Sequence, residues 1–268
     1  MNRGLSLKIK RNPLSFSFFI IGFIIVFFVF FALFNMLYDQ LIISTHTFLD
    51  TMKDSYVIKS IALTLYTSFL ATILAIILGI PLAYVLARHD FYGKNFIEAF
   101  IDIPVIIPHT VAGIALFSLL MRKGTVGSLF ERLGIVFQDS LWGIVVAMFF
   151  VSYPFFVNAA KEGFKSVNPN LERVARTLGA TQWKSFYHIA LPLATPHLIS
   201  GAIMSWARGI SEFGAVIIIA YYPMIASTLI LYRFNTHGLS GSQPIAVLLI
   251  LICFVTFIAF RLISKIKK

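Results

Sequence analysis

The 268-residue chain has one cysteine, Cys253, and few charged side chains. A single cysteine excludes an internal disulfide and a cysteine-based metal site. Asp, Glu, Lys and Arg make up 12% of the residues, about half of the share in a typical globular domain. Hydrophobic residues make up 59% of the chain, and Phe alone occurs 28 times. Because so few charges could not cover so much apolar surface in water, the composition predicts an integral membrane protein.

Acidic residues are half as frequent as basic ones, with 11 Asp and Glu against 22 Lys and Arg and a net charge of +11. A basic excess can indicate nucleic-acid binding. The sequence has no arginine-rich run and no basic stripe with interleaved aromatic residues, so no nucleic-acid partner is predicted. Lys and Arg also hold cytoplasmic loops of membrane proteins in place, and this explanation fits the composition better.

Long stretches without charge predict an all-α membrane protein with about six transmembrane helices, since a helix needs about 20 apolar residues to cross a bilayer. The six stretches span residues 12–38, 60–87, 103–121, 140–160, 197–220 and 234–260. Arg208 and Glu212 interrupt the fifth stretch. The first stretch contains an apolar run too long for a signal-peptide core, and no small-residue cleavage site follows it. We therefore expect an uncleaved anchor helix.

The distribution of basic residues predicts the orientation. Of the 22 Lys and Arg, 15 lie in the segments that flank one side of the predicted helices, against 6 on the other side. The basic segments are 1–13, 87–102, 160–192 and 261–268. Because cytoplasmic loops carry the excess of Lys and Arg, both termini are predicted to be cytoplasmic.

The longest predicted cytoplasmic loop, residues 161–192, carries the most informative pattern. An N-cap at Asn170 and a helix over 171–178 are expected first. Gly179 fits a left-handed helix end. A second amphipathic helix, ending at Leu191-Pro192, is predicted after it from residues at helical spacing: Trp183, Phe186, Ile189 and Ala190. On periodicity alone, this pattern also fits an amphipathic helix that lies on the membrane surface.

The spacing of this loop resembles the EAA loop of ABC importer permeases. That family's pattern is Glu-Ala-Ala, three residues, Gly, nine residues, Ile, one residue and Leu-Pro. The matching residues here are Ala175, Gly179, Ile189, Leu191 and Pro192. The Glu of the triplet is replaced by Arg173, and Glu172 lies one place early. This departure weakens the expectation of a carboxylate that contacts an ATPase at that position.

The resemblance extends to permeases for molybdate, tungstate and sulfate. It is carried by Asp102-Ile103-Pro104, Pro108, Val111-Ala112-Gly113 and Ser211-Glu212-Phe213-Gly214-Ala215. The stretch 220–226 most resembles the archaeal-type molybdate/tungstate permeases. His109 stands where many relatives have a second proline.

This resemblance implies a type I ABC importer permease fold in a prokaryotic cytoplasmic membrane. The implied organisation is a tail, first helix and external loop over 1–55, a transmembrane domain over 56–262 with coupling loop 161–192, and a basic tail over 263–268. It further implies a homodimer in membrane lipid, with a dimer of ABC ATPase subunits and an extracytoplasmic oxyanion-binding protein as partners. The residues assigned to ATPase coupling are Glu172, Arg173, Ala175, Gly179, Ala180, Trp183, Phe186, Ile189, Leu191 and Pro192.

The chain itself is expected to have no catalytic site and no cofactor. No G-x-x-x-x-G-K-[ST] phosphate loop occurs in it, so ATP hydrolysis is assigned to the separate partner. No His pairing with metal-ligand spacing is present either, and capping or solvation is the preferred role of His109, Asp102 and Glu98. The predicted function is ATP-driven import of tungstate or molybdate, with sulfate or thiosulfate import, or a gradient-driven secondary transporter, as the alternatives.

Ser205, Arg208 and Glu212 lie on one face of the fifth predicted helix. Charged groups inside a membrane usually pair or face a water-filled cavity. Two interpretations stay open: these residues line the translocation pathway or its gate, or Arg208 and Glu212 form a structural pair. Gly201, Ser205 and Gly209 also form a row of small residues suited to close helix contact.

Overall fold

The computed structural model describes residues 13–266, and this part of the chain is helical without any strand. The helices are α1 Pro13–Tyr38, α2 Thr45–Lys53, α3 Ser55–Arg88, α4 Lys94–Ile106, α5 His109–Leu120, α6 Gly127–Glu131, α7 Leu141–Ser166, α8 Pro169–Thr177, α9 Gln182–Ser185, α10 Leu191–Ile210, α11 Gly214–Ile219 and α12 Ala226–Ile266. Two π-helical turns, Asp39–Ile43 and Phe186–Ala190, follow α1 and α9. The expectation of an all-α fold is confirmed.

The expected six spans are confirmed within residues 13–266. Five helical segments are long and apolar enough to cross a membrane, and a sixth span results if the bent pair α4 and α5 counts as one. The third predicted span, 103–121, is therefore not straight, because its two helices meet at an angle of 110°. Ile107 takes an extended conformation before Pro108, as expected for a residue that precedes proline.

The fifth and sixth spans differ from the prediction in their bounds. The fifth is continuous over Gln182–Ile210 and breaks at residues 211–213, so it does not run to 220. The sixth begins at Ala226 and bends at Gly238, whose φ of 67° is not helical. A residue without Cβ adopts this conformation at little cost.

The terminal parts of the chain are more helical than their description as a loop and a tail predicts. The segment assigned to an external loop after α1 is mostly helical, since it contains the π-turn Asp39–Ile43 and α2. At the other end, α12 continues to Ile266, so most of the basic tail 263–268 belongs to a helix. Residues 1–12 and 267–268 of the two predicted tails lie outside the described residues.

The helix α7 lies at the centre of the fold and packs along both α3 and α10. The row of small residues in α10 allows this helix to approach its neighbours closely, as its spacing predicts. A Cβ on Gly201 would lie 2.8 Å from the Cβ of Ala159 in α7, and one on Gly209 would lie 3.1 Å from the Cβ of Ser68 in α3. By contrast, α1 buries none of its most apolar window against the rest of the chain. Its phenylalanine side chains therefore face the surroundings, as in a helix surrounded by lipid.

Candidate functional site

The segment between α7 and α10, residues 167–190, forms the core of the predicted coupling loop; we refer to residues 167–192 as the coupling segment. Its first helix, α8, begins after Asn168, whose side chain accepts a hydrogen bond of 2.9 Å from the backbone N–H of Asn170. Asn168, and not Asn170, is therefore the N-cap, and Pro169 takes the first helical position, where its missing N–H is not needed. Gly179 has a φ of 91°, which confirms the predicted left-handed conformation.

The second helix is predicted to end at Leu191-Pro192. In the structure it continues through both residues into α10. The first residues of the predicted loop 161–192 are helical, because α7 extends to Ser166. A proline inside a helix clashes with the carbonyl four residues before it, here that of His188. The π-turn Phe186–Ala190 contains this carbonyl, and such a turn relaxes the α-helical hydrogen-bond pattern where the ring requires space.

Glu172 is turned into the protein and joins the coupling segment to α3. Its Oε1 accepts a hydrogen bond of 2.8 Å from Nε of Arg88, and its Oε2 accepts one of 2.6 Å from the hydroxyl of Tyr84. Arg88 also donates through Nη1 to the carbonyl of Phe164 in α7, at 2.7 Å. The side chains of Arg88 and Glu172 are 8% and 9% exposed. This buried ion pair, which we call the Glu172 clamp, fixes α8 against the ends of α3 and α7.

Aromatic packing supports the same attachment. The ring of Phe186 makes an edge-to-face contact with Tyr84, with centroids 4.9 Å apart, and lies 6.1 Å from the ring of Phe164. Such contacts add to the stabilisation that burial provides. Phe186, which was assigned to ATPase coupling, therefore packs mainly inward, and Trp183 does not. The indole of Trp183 is 71% exposed.

The opposite side of the coupling segment is an exposed, largely apolar surface. It presents Leu171, Val174, Leu178, Trp183 and Tyr187. Beside it lies a hollow of about 370 Å³ lined by Ala175, Ala180, Lys184, Ser185, His188 and Ile189. We call these residues, with the exposed Arg173 and Arg176, the coupling surface. Exposed apolar patches rimmed by polar residues mark protein–protein or membrane contact sites.

The second candidate site lies where α10 ends and α5 begins. Arg208 Nη2 donates to Oε2 of Glu212 at 2.9 Å, and Nδ1 of His109 lies 2.7 Å from the same oxygen. The other carboxylate oxygen accepts from the backbone N–H of Ala215 at 2.8 Å. Ser227 donates to the Glu212 carbonyl at 3.0 Å. The side chain of Glu212 is fully buried, so it is a neutralised charge and does not face an anion directly.

This cluster joins four helices, and His109 is the member that sequence reasoning did not assign to it. His109 opens α5, Arg208 belongs to α10, Ala215 to α11 and Ser227 to α12. His109 lies 99 residues from Arg208, so sequence periodicity does not indicate this contact. The available signal was that a buried glutamate in a membrane requires more than one donor. The side chains of His109 and Arg208 remain 34% and 19% exposed, respectively.

Ser205 does not belong to this cluster. Its side chain is fully buried between α10 and its neighbours, and its hydroxyl has no hydrogen-bond partner among the described residues. Ser205 therefore shares a helix with Arg208 but not the hydrogen bonds around Glu212, and its assignment to the translocation pathway stays a prediction. Its position fits helix packing in the row of small residues.

Two of the remaining polar groups predicted at α4 also have partners. Asn158 donates to Asp102 at 2.7 Å, and Lys161 lies 3.4 Å from Glu98. Before α4, the hydrogen bond and the charge of Lys94 hold the pKa of the Asp90 carboxyl below its ordinary value. In the described part of the chain, no group of three or more His, Cys, Asp or Glu side chains could hold a metal ion.

Comparison with known proteins defines the class to which this fold and these sites belong. A family model described as "Binding-protein-dependent transport system inner membrane component" matches residues 75–267. This range contains the coupling segment and the cluster around Glu212. The chain belongs to this family, and it is a multi-pass membrane permease component. The predicted resemblance to ABC importer permeases is thereby confirmed.

Its relatives include a molybdate/tungstate transport system permease protein of Thermococcus kodakarensis, 46% identical over 211 residues, or 79% of this chain and 80% of that protein. The protein of the same description from Methanocaldococcus jannaschii is 42% identical over 219 residues, covering 82% and 86%. A probable sulfate transport system permease protein of Chlorokybus atmophyticus is 30% identical over 225 residues, covering 82% and 79%.

Solved structures confirm the fold. A chain of a bacterial ABC transporter that imports the acidic polysaccharide alginate superposes with a TM-score of 0.73 at 21% identity, covering 97% of this chain and 98% of that one. A chain of the inward-facing MetNI methionine ABC transporter superposes with a TM-score of 0.63 at 16% identity, covering 79% and 96%. At these identities the likeness concerns the fold, which is that of an ABC importer permease.

Proposed function

We propose that this chain is the transmembrane subunit of an ABC importer that translocates molybdate or tungstate. The observation that carries the ATP-driven part is the coupling segment, which is held by the Glu172 clamp on one side and presents an exposed apolar surface on the other. A surface of this kind is costly in water unless a partner covers it. The oxyanion part is supported by the 46% identity to a molybdate/tungstate permease.

The partner that we assign to the coupling surface is an ABC ATPase subunit. Trp183 stacks on Tyr187, with ring centroids 6.0 Å apart, so two large aromatic side chains form a preorganised group. Aromatic residues of this kind often contribute much of the binding energy at protein interfaces. Of the residues assigned to coupling, Ala180 and Ile189 line the adjoining hollow, and Leu191 and Pro192 begin α10 behind it.

The complete importer would contain two copies of this chain, two ATPase subunits and an extracytoplasmic oxyanion-binding protein in membrane lipid. The family description, which refers to binding-protein-dependent transport, supports the last partner. We retain residues 56–262 as the transmembrane domain of this assembly, with 1–55 as an additional N-terminal part. Both termini are assigned to the cytoplasm from the distribution of Lys and Arg.

The contacts favour a structural pair of Arg208 and Glu212. A role at the gate is retained for Arg208 alone. Glu212 has no exposed surface, so it stabilises the junction of helices and does not line a pathway. Arg208 and His109 retain exposed edges beside it. An intramembrane charge that is partly exposed usually faces a cavity or another protein surface.

Uptake by the reconstituted importer tests the transported anion. The permease, its ATPase and its binding protein in liposomes should accumulate radiolabelled molybdate and tungstate when ATP is present on the ATPase side. Unlabelled tungstate should compete more strongly than sulfate. Sulfate uptake that molybdate does not inhibit would instead support the sulfate alternative. Accumulation driven by an ion gradient without ATP would contradict ATP-driven import.

Removal of single side chains from the coupling surface tests the docking assignment. Trp183→Ala and Leu178→Ser should lower co-purification of the ATPase and the uptake that depends on it, since both side chains are more than two-thirds exposed in the permease alone. Leu133→Ser is the matched control, because this leucine is 75% exposed but lies on the opposite, predicted external side. ATPase recovery at the wild-type level in both coupling variants would contradict docking at this surface.

A further inference from the structure

The coupling surface carries positive charge without any exposed negative charge. Arg173, Arg176 and Lys184 are all exposed. The single carboxylate of residues 167–192 belongs to Glu172, and the Glu172 clamp holds it inside the permease, against Arg88. The segment therefore exposes three cations to a partner, whereas its one carboxylate is buried.

No ion pair joins the coupling surface to the other carboxylates on the predicted cytoplasmic side within residues 13–266. The other carboxylates of segments 87–102 and 160–192 have partners of their own: Asp90 pairs with Lys94 at 2.7 Å, Glu98 with Lys161 at 3.4 Å and Glu162 with Lys165 at 3.1 Å, and Asp102 accepts from Asn158 at 2.7 Å. Within residues 13–266, none of the three cations of the coupling surface forms an ion pair. Their charges are therefore available to a binding partner.

From this arrangement we infer that the ATPase surface that receives the coupling surface is apolar at its centre and acidic at its rim, with carboxylates opposite Arg173 and Lys184. The inference rests on the proposed function, because it assumes that an ATPase occupies this surface. Charge complementarity across an interface accelerates encounter and excludes partners whose charges repel. It would thus restrict this permease to ATPase subunits whose docking surface has an acidic rim.

The shape of the surface favours a folded protein over anionic lipid as the source of the negative charge. Lys184 lines the hollow of about 370 Å³ together with Ser185 and His188. A concavity beside exposed aromatic residues fits a protruding side chain of a partner, as in protein interfaces. A lipid headgroup layer offers no fixed group of complementary shape.

The test is the affinity of purified permease, in lipid nanodiscs without anionic lipid, for its ATPase subunit. Arg173→Glu and Lys184→Glu should each raise Kd by about tenfold, because each places a negative charge opposite carboxylates. Added salt should weaken wild-type binding, since it screens the attraction between exposed charges. It should weaken the binding of either variant less. Arg132→Glu makes the same change in net charge on the predicted external side and should leave Kd unchanged.

The outcomes separate this inference from the docking assignment. If both reversals bind as tightly as wild type while Leu178→Ser binds more weakly, docking stands and the acidic rim is excluded. If all three variants bind as wild type does, docking itself is excluded, and the inference with it. If the reversals leave Kd unchanged but reduce binding of the permease to vesicles that contain anionic lipid, the cations serve the membrane and the inference is overturned.

Discussion

Arg88→Met should release the coupling segment from the membrane-spanning helices while leaving the permease folded. The substitution removes the cation that neutralises the buried Glu172 carboxylate, together with the bond of 2.7 Å to the Phe164 carbonyl. Removal of one partner of a buried ion pair typically costs about 3–5 kcal/mol, since the remaining charge is left without compensation. Glu172 can escape that cost because α8 lies at the edge of the fold, where undocking brings the carboxylate to water.

At the lower limit of about 3 kcal/mol, the population of the undocked segment should rise about 100-fold. Limited digestion by trypsin measures that population, because the segment contains three cleavable bonds, after Arg173, Arg176 and Lys184. The variant should be cut in this segment at lower protease concentration than the wild type, in the absence of ATPase. In liposomes it should hydrolyse ATP with little accompanying uptake, because the docked surface would move without α3.

The double variant Arg88→Met/Glu172→Met is the control. Replacing both members of a buried pair by apolar side chains of similar size is often close to neutral, so protection from trypsin should return towards the wild-type level. Equal protection in the wild type and Arg88→Met would refute the reasoning. Loss of protection in the double variant as large as in the single one would show that the clamp contributes attraction and not only neutralisation.

Three further substitutions test the backbone and the membrane cluster. Gly179→Val should cost about 1–2 kcal/mol, because Gly179 has a left-handed conformation, and should uncouple ATP hydrolysis from uptake in liposomes. Gly134→Val is the control, since Gly134 also has a positive φ but lies on the opposite side. It should leave coupling normal in the same liposome assay. Gly113→Ala should lower the detergent melting temperature, because its Cβ would lie 2.9 Å from Ile218 and overpacking costs about 1–3 kcal/mol; wild-type melting would contradict the close contact. The Arg208→Glu/Glu212→Arg exchange should fail to assemble, since the buried carboxylate accepts from a backbone N–H that arginine cannot satisfy; normal assembly, by size-exclusion chromatography, would exclude this asymmetry.

The sequence was sufficient for the number of spans, the family and the helix–glycine–helix pattern of the coupling segment. These features are encoded by local patterns: charge-free stretches about as long as a bilayer is thick, and a glycine at a fixed distance from Leu191-Pro192. The left-handed Gly179 could be predicted for the same reason, because a glycine after a short amphipathic helix has a known local conformation. None of these predictions requires a contact between distant residues.

The helix ends and the partners of the buried charges could not be predicted in this way. Pro108 bends the third span and Pro192 does not end the second helix of the coupling segment, although both are prolines in apolar surroundings. The difference depends on the neighbouring turns and on packing. Similarly, Glu172 finds Arg88 at a separation of 84 residues, and Glu212 finds His109 at 103. Such pairs follow from tertiary packing, which periodicity does not report.

The two buried carboxylates, Glu172 and Glu212, lie beyond opposite ends of one continuous helical segment. Gln182–Ile210 is continuous over 29 residues, which corresponds to about 43 Å at 1.5 Å per residue. The segment held by Glu172 leads into one end of this element, and Glu212 fixes the residues just beyond the other end. The π-turn Phe186–Ala190 interrupts its regular α-helical hydrogen bonds, and such turns often occur at functional sites. A displacement of the coupling surface would therefore reach Arg208 along a helix that is regular except at this turn, and the Glu172 clamp ties the start of that path to α3 and α7.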